Sequence, residues 1–201
     1  MKAIIFDFDG VLTHCKDANG KYLWHKNIHV DLGLTEEQMS KIYSGNWTLV
    51  MKGFLGMQEH LKNVFTELNI ALSIDEFIEY WLKHDLNINT EILQTIKSIK
   101  NTKLYIGTNQ DIHRTAFLQE KFAHYFDGFF SSYQIGAIKP EPEFFRYIES
   151  KINIQSKDIA FIDDSKSHIE AATKLGWTCH HYQNIEDFKI FMKDIGLKWA
   201  K

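Results

Sequence analysis

A short apolar run that ends on two carboxylates constrains the fold of this chain more than any other feature. Residues 3–6 predict a buried strand, and Asp7 and Asp9 follow it, with Gly10 directly behind them. In open parallel sheets, ligands bind beyond the carboxyl ends of the strands. Negative charges at that position are costly unless a cation or hydrogen-bond donors compensate them. The pair therefore indicates a metal site, a reaction, or both.

The rest of the sequence alternates between strand and helix patterns. Short apolar runs predict further strands at residues 103–107, 129–131, 159–162 and 178–182. Apolar residues at helical spacing, each set followed by a glycine, predict helices at 165–175 and 184–195. Strands and helices that alternate at this spacing predict an α/β fold, with a parallel sheet and helices on both of its faces.

Residues 15–88 interrupt this alternation with helical patterns. Capping boxes at 35–38 and 73–76 each predict the start of a helix, and residues 57–68 have helical apolar spacing. An Asn-Gly pair at 19–20 fits the tip of a small hairpin. The segment is therefore expected to be a helical insertion between the first strand and the rest of the sheet.

We expect two domains from this organisation. An α/β core would comprise residues 1–14 and 89–201, and a helical cap would comprise residues 15–88. A helical block inserted at the carboxyl end of a sheet is placed to exclude water from a site and to select substrates. The alternative is an additional subdomain that only buries apolar surface.

The bulk composition argues against several classes of protein. The chain has 201 residues, is 44% hydrophobic and 24% charged, and carries a formal net charge of −3. This balance is typical of a soluble protein and offers no basic surface for nucleic acid. No apolar stretch approaches the about 20 residues that span a membrane, and the early first strand leaves no room for a signal peptide. The 2 cysteines form no metal or disulfide pattern, so we expect a cytoplasmic protein.

Polar residues also follow the other predicted strands. Thr108 and Asn109 follow the second strand, and Asp163 and Asp164 follow the fourth. Lys139 lies in a loop that carries both prolines of the chain. Taken singly, each has a simpler interpretation: a hydroxyl or an acidic residue that caps a helix, or a lysine that faces solvent.

Together these residues indicate a specific chemistry. Parallel strands bring their carboxyl ends to one edge of a sheet, so the polar residues should converge there. Carboxylates this close repel one another unless a hard cation lies among them, and Mg²⁺ prefers oxygen ligands. A lysine, a hydroxyl group and helix N–H groups commonly bind phosphate. The residues therefore predict metal-assisted chemistry on a phosphorylated substrate.

The haloacid dehalogenase (HAD) superfamily has four sequence motifs, and segments of this chain resemble them in order: Asp7-Phe8-Asp9-Gly10-Val11-Leu12, Thr108-Asn109, Lys139-Pro140 and Asp163-Asp164. The helical insertion between the first two motifs is similar to the C1-type cap of the phosphoglycolate phosphatase, β-phosphoglucomutase and sugar phosphatase subfamily. The resemblance covers essentially the whole chain. It implies a Rossmann-like core, a Mg²⁺ cofactor and a small phosphorylated metabolite as the substrate.

The resemblance also implies roles for the motif residues. Asp7 would be the nucleophile that forms an aspartyl-phosphate, and Asp9 would be the general acid and base. Thr108 and Asn109 would bind the phosphoryl oxygens. Lys139 would balance the charge on the nucleophile and on the phosphoryl group.

The same resemblance implies the metal ligands. Mg²⁺ would be held by Asp7, by the main-chain carbonyl of Asp9, and by one or both of Asp163 and Asp164. We expect Asp164 to bind directly and Asp163 to act through water. His168 departs from the family pattern, since many members have asparagine or glycine there, and we expect it to be an exposed or packed histidine on a helix.

Asp9 separates a phosphatase from two related activities. Haloalkanoic acid dehalogenases lack an acid at this position, because halide needs no proton, and phosphonatases replace it. A phosphomutase of the β-phosphoglucomutase type retains it and stays open as an alternative. A non-catalytic regulatory domain with the same fold also stays open as an alternative.

Substrate choice is expected to come from cap residues that face Asp7, near the entrance of the site. The candidates are His14, Trp24, His25, Trp47, Lys52 and Phe54. Of these, Trp47 and Phe54 are expected to pack inside the cap instead. The sequence predicts neither the substrate nor the oligomeric state.

Overall fold

A parallel five-stranded sheet lies at the centre of the computed structural model, which describes residues 1–197. Its strands are β1 (Ala3–Phe6), β2 (Lys103–Thr108), β3 (Gly128–Ser131), β4 (Ile159–Asp163) and β5 (Thr178–His181). They lie in the order β3-β2-β1-β4-β5, and every pairing is parallel. The predicted strands are confirmed, and Asp7 follows the central one. Residues 198–201 of the predicted core lie outside the described residues.

Helices occupy most of the remaining chain. They are α1 (Ile28–Leu32), α2 (Glu36–Ile42), α3 (Trp47–Met51), α4 (Met57–Glu67), α5 (Ile74–His84), α6 (Thr90–Lys97), α7 (Ile112–Phe122), α8 (Ser132–Ile135), α9 (Pro142–Ile152), α10 (Lys166–Lys174) and α11 (Ile185–Asp194). None of those in residues 1–197 has both the length and the apolar character needed to cross a bilayer.

The sheet is buried on both faces. Successive strand side chains point to opposite faces, so β1 contributes Ile4 and Phe6 to one side and Ile5 to the other. On the first side these side chains pack with α6, α7 and α11. On the second side they pack with α9 and α10, where Phe161 of β4 lies beside Phe145. The predicted α/β fold, with helices on both faces of a parallel sheet, is confirmed.

Helices α1–α5, here called the helical segment, bury a separate set of apolar side chains. Trp24, Phe77 and Trp81 lie in this set, and we call it the helical cluster. Trp24 packs against both of the other two, with ring centroids 6.3 Å and 6.1 Å apart. The segment therefore has an apolar core of its own, formed within the predicted insertion.

Local signals in the insertion form as the sequence predicts. Thr35 and Gln38 make a reciprocal capping box at the start of α2, and the Ser73 hydroxyl caps α5. The hairpin predicted at 19–20 is present, with Gly20 at a φ of +78° and an antiparallel bridge at its base. These short-range hydrogen bonds define where the elements of the insertion begin.

Polar contacts join the helical segment to the sheet and its helices. The Lys52 ammonium group at the end of α3 lies 2.5 Å from Glu141, just before α9. The Ser132 hydroxyl, just after β3, donates to the Met51 carbonyl oxygen at 2.7 Å. The segment is thereby held against the β3 side of the sheet.

Replacing Phe77 with alanine tests how far the helical cluster stabilises the fold. Phe77 is 0% exposed, so truncation removes buried apolar surface and leaves a cavity. We expect the free energy of unfolding to fall by about 3–5 kcal/mol in a urea titration. Val30→Ala is the control: Val30 is 85% exposed in the same segment, and its loss should change stability by less than about 0.5 kcal/mol. If Phe77→Ala lowered the free energy of unfolding as little as Val30→Ala, the helical cluster would lie outside the cooperative unfolding unit.

Candidate active site

The carboxyl ends of the central strands open into one cavity of about 740 Å³. The predicted site residues that line it are Asp7, Asp9, Thr108, Asn109, Lys139 and Asp164. Asp163, the last residue of β4, is fully buried and hydrogen-bonds to Lys139. The structure thus brings all of the predicted residues together, as expected for neighbouring parallel strands.

The Lys139 ammonium group lies between two carboxylates. Its Nζ atom is 2.8 Å from Asp7 Oδ2 and 2.6 Å from Asp163 Oδ2, and all three residues are buried. Burial acts to lower the pKa of Lys139, but the charges of Asp163 and Asp7 outweigh it and hold the pKa above its ordinary value. Lys139 is therefore a permanent positive charge inside the site.

A single lysine does not neutralise the carboxylates around Asp7. Burial raises the pKa of Asp7 well above its ordinary value; the charge of Lys139 opposes that shift, and the charge of Asp163 adds to it. A carboxylate nucleophile must be ionised to react. A further positive charge close to Asp7 would favour its ionised form.

The two aspartates at the end of β4 have different surroundings. Asp163 Oδ2 accepts from Lys139 at 2.6 Å, and its Oδ1 accepts from the Ser165 main-chain N–H at 2.8 Å. His168 Nδ1 lies 3.0 Å from the same Oδ1, so His168 contacts a predicted site residue instead of being merely exposed or packed. The Asp164 carboxylate is exposed and forms no salt bridge with any residue in 1–197.

The oxygen atoms of this region fit a hard divalent cation. Asp7 and Asp163 each place a carboxylate oxygen within 4.8 Å of the other, and the His168 ring nitrogen, which hydrogen-bonds to Asp163, completes the group. The Asp164 carboxylate lies so close to Gly10 that a Cβ atom there would overlap it, which brings this carboxylate beside the main chain at the end of β1. Carboxylate and carbonyl oxygens are the ligands that Mg²⁺ prefers. The residues present therefore fit Mg²⁺.

Thr108 and Asn109 contribute in different ways. Thr108 is buried at the end of β2 and lines the cavity, and its hydroxyl oxygen accepts from Gln110 Nε2 at 3.3 Å. Both ends of the Asn109 side chain bind the Lys139 main chain: Nδ2 donates to its carbonyl at 3.0 Å, and Oδ1 accepts from its N–H at 2.8 Å. The Asn109 amide thus holds the lysine loop in place, and the expectation that Asn109 binds phosphate stays a prediction.

Arg114 is a site residue that the sequence reasoning missed. It is fully buried on α7, and its Nη2 atom is 2.6 Å from Asp9 Oδ1. Gln110 Nε2 lies 2.5 Å from Asp9 Oδ2. Burial acts to raise the pKa of Asp9. The charge of Arg114 and the hydrogen bonds that the Asp9 carboxylate accepts outweigh burial and hold that pKa below its ordinary value. A signal was present, since Arg114 precedes Leu118 and Phe122 at four-residue spacing and so lies on the buried face of the helix.

Only one of the predicted substrate contacts lines the cavity. His14 does; Trp24, His25, Trp47, Lys52 and Phe54 do not. Trp47 packs against the helical cluster as expected, whereas Phe54, expected there too, is 68% exposed. Other residues surround the remaining space, namely Lys16, Tyr22, Asp85, Asn89, Glu91 and Gln183. Lys16, Tyr22 and Asp85 belong to the predicted insertion, so this part of the chain does contribute to the wall, through residues other than the candidates.

Comparison with known families and proteins gives consistent matches. The family model described as haloacid dehalogenase-like hydrolase matches residues 1–176. A D-ribitol-5-phosphate phosphatase from Bacteroides thetaiotaomicron is 24% identical over 199 residues, covering 94% of this chain and 95% of that protein. A phosphoglycolate phosphatase from Haemophilus influenzae is 24% identical over 185 residues, covering 87% of this chain and 82% of the other.

Solved structures share the fold. A HAD family enzyme from Bacteroides thetaiotaomicron, 20% identical, superimposes with a TM-score of 0.78 over 96% of this chain and 98% of its own. The same enzyme in complex with magnesium and inorganic phosphate gives a TM-score of 0.74 over 91% and 94% of the two chains.

A Gly10→Ala variant tests the close approach of Asp164. Gly10 has a φ of +82°, and a Cβ atom there would displace the Asp164 carboxylate. Gly20, at +78°, has no atom within 4 Å of a built Cβ, so Gly20→Ala introduces only the backbone strain of about 1–2 kcal/mol. By isothermal titration calorimetry, we expect Gly10→Ala to bind Mg²⁺ about tenfold or more weakly and Gly20→Ala to bind it normally. Equal Mg²⁺ affinities in the two variants would contradict this placement of Asp164.

Proposed function

This chain belongs to the haloacid dehalogenase-like hydrolases, and from that premise we propose that it is a Mg²⁺-dependent phosphatase of a small phosphorylated metabolite, with Asp7 as nucleophile. One observation carries the proposal: Lys139 Nζ lies 2.8 Å from Asp7 Oδ2 in a cavity that Thr108, Asp9 and Asp164 also line. A nucleophile, a fixed cation, a hydroxyl donor and an acid/base therefore surround one space. That set matches the needs of phosphoryl transfer.

Each residue has one task in this mechanism. A carboxylate oxygen of Asp7 attacks phosphorus, the bond to the leaving oxygen breaks, and Asp9 gives that oxygen a proton. Water then attacks phosphorus, passes a proton to Asp9, and releases phosphate as the bond to Asp7 breaks. Thr108 donates to the phosphoryl oxygens, together with the main-chain N–H of Asn109. Lys139 balances the charge that both steps concentrate on Asp7 and on the phosphoryl group.

Mg²⁺ would be held by oxygen atoms alone. Asp7 and Asp164 supply carboxylates and Asp9 its main-chain carbonyl, while Asp163, whose oxygens already accept from protein donors, acts through water. When bound, the cation supplies the positive charge that the buried Asp7 carboxylate lacks and that a phosphoryl group requires. The related enzyme solved with magnesium and phosphate supports this assignment.

The domain division is part of the same proposal. Residues 15–88 act as a cap over the α/β core of residues 1–14 and 89–201, because their apolar core is separate from the two at the sheet. The hairpin near Gly20 is the part of this cap that reaches the cavity, through Lys16 and Tyr22. It would contact the leaving group.

The walls of the cavity favour a polar, uncharged leaving group. The carboxylates of Asp85 and Glu91 lie there together with Lys16, so the walls carry no excess of positive charge for a substrate carboxylate. Asn89 and Gln183 add amides that pair well with hydroxyl groups. We therefore favour a sugar or polyol phosphate, in agreement with the activity of the ribitol-phosphate phosphatase relative.

Asp7→Asn tests the proposed nucleophile. The substitution keeps the size of the side chain but removes the charge that attacks phosphorus, so phosphate release from 4-nitrophenyl phosphate should fall at least about 1,000-fold. EDTA should abolish wild-type turnover, and added Mg²⁺ should restore it. Asp75→Asn, at an exposed site in the first turn of α5, should keep full activity. Undiminished turnover by Asp7→Asn would eliminate the mechanism.

A substrate panel tests the leaving-group proposal. Sugar and polyol phosphates should give kcat/KM values at least about tenfold above prenyl phosphates, and product analysis should find inorganic phosphate. Gln183→Ala should raise KM for the best polyol phosphate about three- to tenfold, the cost of one hydrogen bond, and leave 4-nitrophenyl phosphate unaffected. Gln155→Ala, exposed and away from the cavity lining, is the control. An isomerised sugar phosphate as product would identify a phosphomutase, and no turnover on any substrate would favour a regulatory domain.

A further inference from the structure

A buried ion cluster joins the proposed acid/base to the end of the helical segment. Arg114 Nη2 lies 2.6 Å from Asp9 Oδ1, and its Nη1 lies 2.9 Å from Asp85 Oδ2. Nη1 also donates to the Asp85 carbonyl oxygen at 2.9 Å. Trp81 Nε1, one turn earlier on α5, donates to the same Asp85 carboxylate at 2.9 Å. Arg114 therefore has a fixed position between the core and the helical segment.

The two oxygens of the Asp9 carboxylate differ in their partners. Oδ1 accepts from Arg114 and, at 3.2 Å, from the Thr13 hydroxyl. Among residues 1–197, Oδ2 accepts only from Gln110. A carboxylate oxygen offers about two lone pairs, so Oδ1 is fully occupied and Oδ2 retains one free position. Because Asp9 lines the cavity, that free position is available to a leaving group or to water.

We propose that Arg114 is the positioning residue of the acid/base: it anchors Asp9 through Oδ1 and leaves Oδ2 as the oxygen that transfers the proton. This inference rests on the proposed phosphatase function and adds to it a residue outside the four motifs. Asp85 and Trp81 support it in turn, by fixing the guanidinium group from the side of the helical segment. The correct placement of Asp9 then depends on how the helical segment is seated against the core.

The choice of arginine follows from the geometry. The planar guanidinium group presents separate N–H groups to Asp9 and Asp85, at an angle that does not vary. A lysine in its place would keep the charge but offer one compact ammonium group, which cannot hold both carboxylates in these directions. Arg114→Lys should therefore retain the fold and lose most of the orientation of Asp9, whereas Arg114→Met should lose both the charge and the anchor.

Leaving-group dependence distinguishes positioning of an acid from a general structural role. Phenyl phosphate and 4-nitrophenyl phosphate have similar shapes, but nitrophenolate departs without a proton whereas phenolate is more basic and benefits from one. The kcat/KM value covers the steps up to aspartyl-phosphate formation, so it isolates this proton transfer. For Arg114→Lys and Arg114→Met we expect about a tenfold or greater loss on phenyl phosphate and less than about a threefold loss on 4-nitrophenyl phosphate.

A double variant tests whether Arg114 acts through Asp9. Asp9→Asn should show the same selective loss on phenyl phosphate, and adding Arg114→Lys to it should cause no further selective loss. Arg146→Lys, the matched change at an exposed arginine, should leave both substrates unaffected. Circular dichroism and thermal unfolding check that each variant is folded. If Arg114→Met does not fold, the comparison of the two aryl phosphates with Arg114→Lys alone tests the inference.

Two results would overturn the inference. Equal losses on both aryl phosphates in a folded Arg114→Lys protein would assign Arg114 a structural role only. A further selective loss on phenyl phosphate when Arg114→Lys is added to Asp9→Asn would show that Arg114 acts on the leaving group without Asp9. Failure of the proposed function is distinguishable from both, because it would appear as wild-type turnover that survives Asp7→Asn.

Discussion

The ammonium group of Lys139, buried between Asp7 and Asp163, is the interaction on which the rest of the site depends. Its Nζ atom lies 2.8 Å from Asp7, which follows β1, and 2.6 Å from Asp163, which ends β4. The positive charge offsets the repulsion between these two carboxylates. Asn109 holds the lysine loop through its main chain, so even a residue expected to bind phosphate serves to position this cation. A buried charge is tolerated only when partners of this kind surround it.

A second buried cation, Arg114, organises the other half of the site. Lys139 lies with Asp7, the proposed nucleophile, and with Asp163, while Arg114 lies with Asp9 and Asp85. The two carboxylates at the end of β1 therefore have opposite environments. The pKa of Asp7 is raised, chiefly by burial, and that of Asp9 is lowered, because Arg114 outweighs the effect of burial.

The fold was predictable because its signals are local. Apolar runs of strand length and helical apolar spacing indicated the parallel sheet, and the capping boxes at Thr35 and Ser73 marked the helices of the insertion. The convergence of the motif residues followed from strand direction alone. The cavity wall was not predictable, since it depends on how the helical segment packs against the core, which contacts such as the one between Lys52 and Glu141 determine. Trp24, His25 and Lys52, which were expected to face the substrate, do not line the cavity for that reason.

The sequence by itself determined the α/β architecture, the site residues at the strand ends and the kind of chemistry they suit, because these depend on residue type, spacing and strand direction. Only the tertiary structure decided which partner each polar atom takes. It assigned the Asn109 amide to the lysine loop, His168 to Asp163, and Arg114 to Asp9. The pairings of Asn109 with Lys139 and of Arg114 with Asp9 join residues 30 and 105 positions apart in the chain. No local pattern encodes them, because a buried polar group takes whichever partner packing brings within hydrogen-bond distance.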